Sequence, residues 1–222
     1  MFESQLPSRD AVSDAGQEPA DGAAPKIIAL PQPDLTAGLP LMAALSFRES
    51  MRAFSPTPLT LATLSDLLWA ADGVNRPVSG GRTSPHALNE IDIYVSLPNG
   101  LYRYDAPNHQ LLLKRAAVVR ELTGYQEFAG TAPVDLVYVA KGSRLQELPD
   151  PLRERLPAAT AGAIAQNVAL LCASIGLANV IRGWIDQPLL ASALQLDDDE
   201  LPTLAQTVGL PAASADRYAV SE

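Results

Sequence analysis

Apolar residues recur with the 3.6-residue period of a helix in two stretches of the first third of the chain. The first stretch begins after Pro40, a residue suited to the first helical turn, and continues through FRESMRAF until Pro56 stops it. The second begins at Thr60 and keeps the helical period up to Gly73, a natural C-terminal cap. Two helices separated by a proline-rich break are therefore predicted.

From Ile91 onward the period changes from 3.6 to two, which predicts a half-buried strand over residues 91–95. A Pro-Asn-Gly turn then leads into LYRYD, which reads as the returning strand of a hairpin. A third strand is predicted from His109 to Lys114, and the apolar run VDLVYVA predicts a central strand. His109 itself follows Pro107 and Asn108 and is expected to be a solvent-exposed turn residue.

The C-terminal third combines one long helix with further strands. The helix is predicted from about Ala158, after Pro157, to Gly176, and a short helix follows from Pro188 to Leu194. NVIRGWI and LAQTVGLP read as strands. Helices mixed with mostly antiparallel strands predict an α+β fold rather than a doubly wound βαβ array.

Composition limits the possible partners and cofactors. The 222-residue chain carries a net charge of −9, which argues against a nucleic-acid backbone or an anionic membrane as its main partner. One cysteine and two histidines make a Cys/His metal site implausible. Any bound anion must therefore be held by a local basic cluster.

The first 26 residues differ in composition from the rest of the chain. They are rich in Asp, Glu, Ser, Ala, Gly and Pro, and we expect a disordered tail over residues 1–26 followed by one domain over residues 27–222. The tail lacks the basic and apolar regions of a signal peptide, and no stretch approaches the roughly 20 apolar residues that span a bilayer. A cytoplasmic protein is predicted.

Arg48 and Arg52 are the strongest candidates for an anion site. On the predicted helix they are four residues apart and lie on one side, with the Ser50 hydroxyl between them. Guanidinium groups make bidentate hydrogen bonds to phosphate, and no glycine-rich phosphate loop offers an alternative. The alternative interpretation is an ordinary solvated face, because charged residues at this spacing are common on helix surfaces.

Five motifs occur in the order found in one known family. They are Arg-x-Ser-x-Arg, LSDLLWAADGVNRP, RTSPHALN, QNVALLCASIGLANVIRGWID and TVGLP, spread over roughly residues 40 to 211. In this order they resemble the nitroreductase-like FMN-dependent oxidoreductases, particularly the subgroup of the SagB-type dehydrogenases. The resemblance implies a dimeric α+β fold with an antiparallel central sheet flanked by helices. It also implies two FMN sites at the interface of a homodimer, each lined by both chains.

The resemblance also assigns roles to individual residues. The implied FMN contacts are Arg48, Ser50, Arg52, Pro85, His86, Ala87, Asn89, Gly183 and Arg217. Arg182 and Gly183 form the implied catalytic loop, whose backbone N–H reaches toward flavin N5. Hydride transfer from NADH or NADPH to a small organic acceptor, by a ping-pong mechanism, is the implied reaction; nitroaromatics, quinones and enones all fit as acceptors.

Three departures from the family pattern keep alternatives open. His86 stands where the family has serine, and Leu210 stands where it has tyrosine. The segment between Pro85 and Ile91 is also about two residues shorter than usual, which bears on the placement of Asn89. One alternative is a SagB-like enzyme that oxidises azolines in a peptide with partner proteins. The other is a non-catalytic flavin-binding dimeric module.

Overall fold

The computed structural model describes residues 24–85, 88–123, 125–126 and 128–212. The helices of this part are α1 (Leu41–Phe47), α2 (Leu61–Asp72), α3 (Phe128–Thr131), α4 (Asp150–Ile175) and α5 (Gln187–Leu194). The strands are β1 (Ile27–Ala29), β2 (Val74–Arg76), β3 (Gly81–Arg82), β4 (Ile91–Leu97), β5 (Gly100–Asp105), β6 (Gln110–Arg115), β7 (Val134–Lys141), β8 (Ala178–Arg182) and β9 (Glu200–Gly209).

Seven of these strands form one sheet in the order β1-β6-β5-β4-β7-β9-β8. Every neighbouring pair in it is antiparallel, and β2 and β3 form a separate two-stranded hairpin. Together with the flanking helices, this confirms the predicted α+β fold with an antiparallel central sheet.

Apolar layers cover both faces of the sheet. On one face Ile91, Ile93 and Val95 of β4 pack in the same cluster as residues of α2 and α4. On the other face Tyr94 packs in a second cluster with residues of α5. The prediction of a half-buried β4 was therefore wrong, because all seven of its residues are buried. Successive residues of β4 do alternate between the two faces of the sheet, but each face is covered by an apolar layer, so neither is exposed.

Two helix boundaries also differ from prediction. α1 ends at Phe47, and Arg48 already has an extended backbone, because the residues that follow pair with strands instead of continuing the helix. α4 begins at Asp150, two turns earlier than predicted, and contains Pro157 in its interior. Its C-terminus is as expected, since Gly176 adopts a left-handed φ of 76°.

α4 is long and apolar enough to cross a bilayer by length and composition alone, although 39% of its most apolar window is buried inside the protein. It packs against α1, α2 and the sheet, with Ile164, Val168 and Cys172 fully buried. The expectation that no stretch is apolar enough to span a bilayer was thus wrong for α4 by length and composition, and its packing identifies it as a core helix of this domain.

His109 was predicted to be a turn residue in solvent: it does lie in the turn between β5 and β6, with a φ of 47°, but its ring is half-buried and hydrogen-bonded. Its Nε2 lies 2.7 Å from the Ser65 Oγ and 3.1 Å from the Pro31 carbonyl oxygen, and its Nδ1 lies 2.9 Å from the Tyr104 hydroxyl. These distances fit a neutral ring in which Nε2 donates and Nδ1 accepts the Tyr104 proton. The imidazole thus joins α2, the β5–β6 hairpin and the segment after β1.

This arrangement predicts a pH-dependent contribution to stability. Burial lowers the pKa of His109 below its usual value. The unfolded chain therefore binds more protons below about pH 6.5, the usual histidine pKa, and the contribution of the neutral ring is lost as the pH falls through that value. Urea unfolding of wild type and His109→Gln between pH 5 and 8 should show a difference in unfolding free energy that shrinks on acidification. A constant difference would contradict this account.

Candidate functional site

The Arg-x-Ser-x-Arg segment, residues 48–52, crosses the sheet end where β8 begins and β9 finishes. The Met51 N–H donates to the Asn179 carbonyl of β8 at 2.9 Å, and the Ser55 N–H donates to the Leu210 carbonyl at 2.8 Å. The segment is therefore fixed by strand-like pairing rather than by helix geometry. Its three predicted residues all remain exposed, whereas Met51 is half-buried.

An apolar cluster lies beneath this segment. Phe54 forms a β-bridge with Pro211, and its ring lies 5.7 Å from that of Phe128 at the start of α3. Met51 and Val180 pack in the same cluster. These contacts hold the arginine segment against the edge of the sheet.

The two guanidinium groups are available for a ligand. In the described part of the chain, neither Arg48 nor Arg52 is paired with a carboxylate, and the single hydrogen bond of Arg52 is a 3.3 Å contact with the Ser50 carbonyl. Two exposed, uncompensated cations in an acidic protein are suited to an oxyanion such as a phosphate. The prediction that a shared helix face aligns them was wrong, but the structure still leaves both on the solvent side.

The Arg182 side chain points into the protein at the other end of β8. Its Nη2 lies 2.7 Å and 2.6 Å from the two carboxylate oxygens of Asp135, and its Nη1 donates to the Thr123 carbonyl at 2.7 Å. The Thr207 hydroxyl also donates to Asp135, at 2.6 Å. Burial raises the pKa of Asp135, an effect that the adjacent Arg182 charge opposes. The guanidinium is thus a buried structural group, and only the backbone of this residue can face a ligand.

Gly183, the next residue, is exposed. Its N–H has no hydrogen-bond acceptor among the described residues, so it is free to donate to a ligand. Two exposed aromatic rings stand beside it, Trp184 and Tyr125, with centroids 5.7 Å apart. The Tyr125 hydroxyl donates to Asp186 at 3.2 Å. A planar ligand at Gly183 would meet an aromatic wall.

Gln126 is a candidate that the sequence did not reveal. Its Oε1 is buried and has no hydrogen-bond partner, which is costly unless a ligand donor or a water supplies one. The residue lies just before α3, whose Phe128 packs under the arginine segment. No periodic pattern or motif marks this loop, so only the fold could place it here.

Asn89 lies far from these groups within one chain. It has a left-handed φ of 49°, and its carbonyl accepts a 2.6 Å hydrogen bond from Arg144. Asn89 directly precedes Glu90, and the Glu90 carbonyl accepts a hydrogen bond from the N–H of Lys141. Lys141 is the last residue of β7 and lies opposite the first residue of β9, so Asn89 is near the beginning of β9. The arginine segment meets the last residues of β9, so the two groups are separated by the strand length, about 30 Å at 3.4 Å per residue.

Of the remaining predicted contacts, Pro85 is described by the structure, and the other three are not. Pro85 is exposed, next to a cleft that Asn89 also lines. His86, Ala87 and Arg217 lie outside the described residues. One chain therefore brings together Arg48, Ser50, Arg52 and the two ends of β8, but not Asn89.

Comparisons with known proteins agree with this fold. Residues 45–210 match the model of the Nitroreductase family. The curated protein "Putative nitroreductase MJ1384" of Methanocaldococcus jannaschii is 29% identical over 178 residues, covering 73% of this chain and 86% of that protein.

Solved structures give the same result. The crystal structure of a "putative nitroreductase" from Ralstonia eutropha JMP134 is 53% identical, with a TM-score of 0.83, over 88% of this chain and 94% of that chain. A chain in the E. coli microcin synthetase McbBCD complex with truncated pro-MccB17 has a TM-score of 0.65 at 20% identity, over 94% of this chain and 84% of that chain, a likeness of fold alone.

The buried pair of Arg182 and Asp135 predicts a large effect on stability. Asp135→Ala leaves a guanidinium buried without its carboxylate, and breaking such a pair costs about 3–5 kcal/mol of unfolding free energy. Asp150→Ala, which removes the exposed partner of Arg153, is the matched control and should change the urea midpoint little. If the two variants unfold at the same urea concentration, the pair is not the constraint described here. The double variant Asp135→Leu/Arg182→Met should recover much of the loss, because no charge is left unpaired.

Proposed function

Because the chain belongs to the nitroreductase family, we propose that it is an FMN-dependent oxidoreductase that transfers hydride from NADH or NADPH to a small organic acceptor. The observation that carries this proposal is the pair of exposed, uncompensated guanidinium groups of Arg48 and Arg52 on the same strand edge as the free N–H of Gly183. Its acceptor class is nitroaromatic, quinone or enone, and its cytoplasmic location stays a prediction from sequence.

The spacing along β8 supports one flavin that contacts both ends. The arginine segment is bonded to Asn179, near the start of the strand, and Gly183 follows its last residue. Four residues of extended chain span about 13 Å. Under this proposal Arg48 and Arg52 bind the phosphate, with Ser50 beside them, and the Gly183 N–H donates to the ring at N5.

Bound FMN supplies the hydride chemistry, since the side chains of this chain offer no redox group for it. The protein binds the flavin and orients it. Arg182 contributes to orientation indirectly, because its buried contacts with Asp135 and Thr123 fix the strand end from which the Gly183 N–H points. Tyr125 and Trp184 stand exposed beside that end and leave room for alternating occupants, consistent with ping-pong kinetics.

A homodimer is part of the proposal. Asn89 belongs to the predicted site, yet it lies about 30 Å from the arginine segment in one chain, by strand geometry, and Pro85 lines the same cleft as Asn89. A second copy could bring its Pro85 turn to the first copy's arginine segment. α1 supports an interface nearby, because it exposes four large apolar side chains: Leu41, Met42, Leu45 and Phe47.

Neither alternative has a comparable observation behind it. The likeness to a microcin synthetase chain fits a peptide-oxidising role, but at 20% identity it concerns the fold. A non-catalytic flavin module would share the same binding residues, and it differs from the reductase only in whether the bound flavin can be reduced.

The visible absorption spectrum tests the proposed function directly. Purified protein saturated with FMN and freed of excess cofactor should be yellow, and its flavin band should bleach on anaerobic addition of NADH or NADPH. Bound flavin that neither nucleotide bleaches would favour the non-catalytic module or a partner-dependent oxidase. A colourless protein that takes up no FMN would refute the proposal.

The phosphate assignment predicts a specific loss of flavin. Arg48→Ala/Arg52→Ala should weaken FMN binding about 100-fold or more, because each charged hydrogen bond contributes about 1.5–3 kcal/mol and 1.4 kcal/mol corresponds to tenfold. Flavin fluorescence titration measures the affinity, and light scattering should still give the mass of two chains. The matched control is Arg153→Ala/Arg155→Ala, two exposed arginines at the start of α4, which should bind FMN like wild type. Equal FMN affinity in both double variants would reject the assignment.

A further inference from the structure

We infer that a second oxyanion subsite lies between the β2–β3 hairpin and the turn leading to β4, where it binds a carboxylate or phosphate group of a substrate. The space is a cleft of about 340 Å³. Its charged lining residues are both arginines, Arg76 and Arg82, and its other polar lining comes from Ser79, Ser84 and Asn89. A cationic cleft in a chain of net charge −9 is a local exception to the prevailing field, which otherwise repels anions.

Arg82 forms the fixed wall of this cleft. Its Nη1 donates to the Asp72 carbonyl at 3.1 Å and lies 3.6 Å from the Asp72 carboxylate, which also accepts a 2.5 Å hydrogen bond from the Ser84 hydroxyl. The Nε of Arg82 is buried and has no partner in the described structure. No described protein acceptor compensates this N–H, so Arg82 keeps part of its positive field at the cleft wall.

Arg76 supplies the uncompensated charge. It is exposed and, within the described ranges, has no carboxylate partner; its recorded side-chain hydrogen bond is a long one, 3.5 Å, to the Arg82 carbonyl. Its guanidinium lies across Gly81, where a Cβ would stand 2.2 Å from the Arg76 Nε and 2.6 Å from its Cζ. Glycine at this position therefore lets the charge lie flat on the hairpin and face the cleft.

The position of the cleft indicates that its ligand is part of a substrate. This assignment rests on the proposed function. Pro85 and Asn89 line the cleft and are also predicted flavin contacts, so the cleft adjoins the turn expected at the flavin of the partner copy. An anionic group bound there would be held beside the reacting ring. That group could be a phosphate of the nicotinamide nucleotide or a carboxylate of the acceptor, because guanidinium groups bind both in the same way.

Calorimetric titration with inorganic pyrophosphate tests the subsite without any turnover. FMN-saturated wild type should bind pyrophosphate, Arg76→Gln should bind it at least about tenfold more weakly, and the matched control Arg155→Gln should behave like wild type. Gly81→Ala keeps both charges but displaces the Arg76 guanidinium, so it should weaken binding as well. Equal affinity in Arg76→Gln and Arg155→Gln, or full affinity in Gly81→Ala, would overturn the inference.

Should the protein take up no flavin, the same titration on the Arg48→Ala/Arg52→Ala background removes the competing guanidinium pair. Failure of the proposed function and failure of this subsite are thereby separated.

Matched substrate pairs identify the source of the anion. NADPH carries one phosphate more than NADH, and 4-nitrobenzoate carries a carboxylate where 4-nitrobenzyl alcohol is neutral. Arg76→Gln should raise KM about tenfold for the more anionic member of one pair while leaving the neutral acceptor, kcat and the flavin spectrum close to wild type. An effect confined to the nucleotide pair assigns the subsite to the donor, and one confined to the acceptor pair assigns it to the acceptor. No selective change in either pair would overturn the assignment to a substrate.

Discussion

The buried ion pair between Arg182 and Asp135 constrains the candidate site more than any other contact. It joins the last residue of β8 to β7, and through the Thr207 hydroxyl and the Thr123 carbonyl it also engages β9 and the loop before α3. Two buried charges are costly unless each finds its partners, so this geometry has few alternatives. The exposed Gly183 and Trp184 therefore extend from a fixed strand end rather than from a free loop.

Strand β8 carries candidate ligand-binding groups at both of its ends, and its rigidity fixes the distance between them. Strand-like hydrogen bonds hold the arginine segment at the start of β8, and Gly183 follows the end of that strand. β9 separates this region from Asn89 by about its whole length. Within one chain the proposed flavin contacts thus lie in two groups toward different ends of the sheet. Such an arrangement has a chemical use only if a second copy brings the complementary part, which is why the flavin proposal and the dimer proposal depend on each other.

The arginines of this protein differ in whether a carboxylate neutralises them. The chain is acidic overall, and among the described residues Arg48, Arg52 and Arg76 are exposed, lack a carboxylate partner and lie where ligands are proposed. Arg155 of α4 is also exposed without a carboxylate partner, and it serves as the control arginine. Other arginines are neutralised: Arg103 and Arg144 both contact Asp92, and Arg182 contacts Asp135. Pairing status, which sequence cannot give, therefore identifies the structural arginines, and position beside a proposed site then distinguishes the candidate binding arginines from a surface arginine such as Arg155.

Local rules determined much of this protein from its sequence alone. The period of apolar positions gave α2 and the strands around the Pro-Asn-Gly turn, and Gly176 ended α4, because these features depend on neighbours along the chain. The ordered motifs identified the family, which the comparisons confirm. The tertiary structure decided the rest. It ended α1 at Phe47 in favour of strand pairing, buried both faces of β4 and enclosed His109 in a hydrogen-bond network. It also left Gln126 unpaired beside the site. Each of these outcomes depends on which distant segments meet, and the balance between local propensity and long-range pairing is settled only when the whole sheet forms.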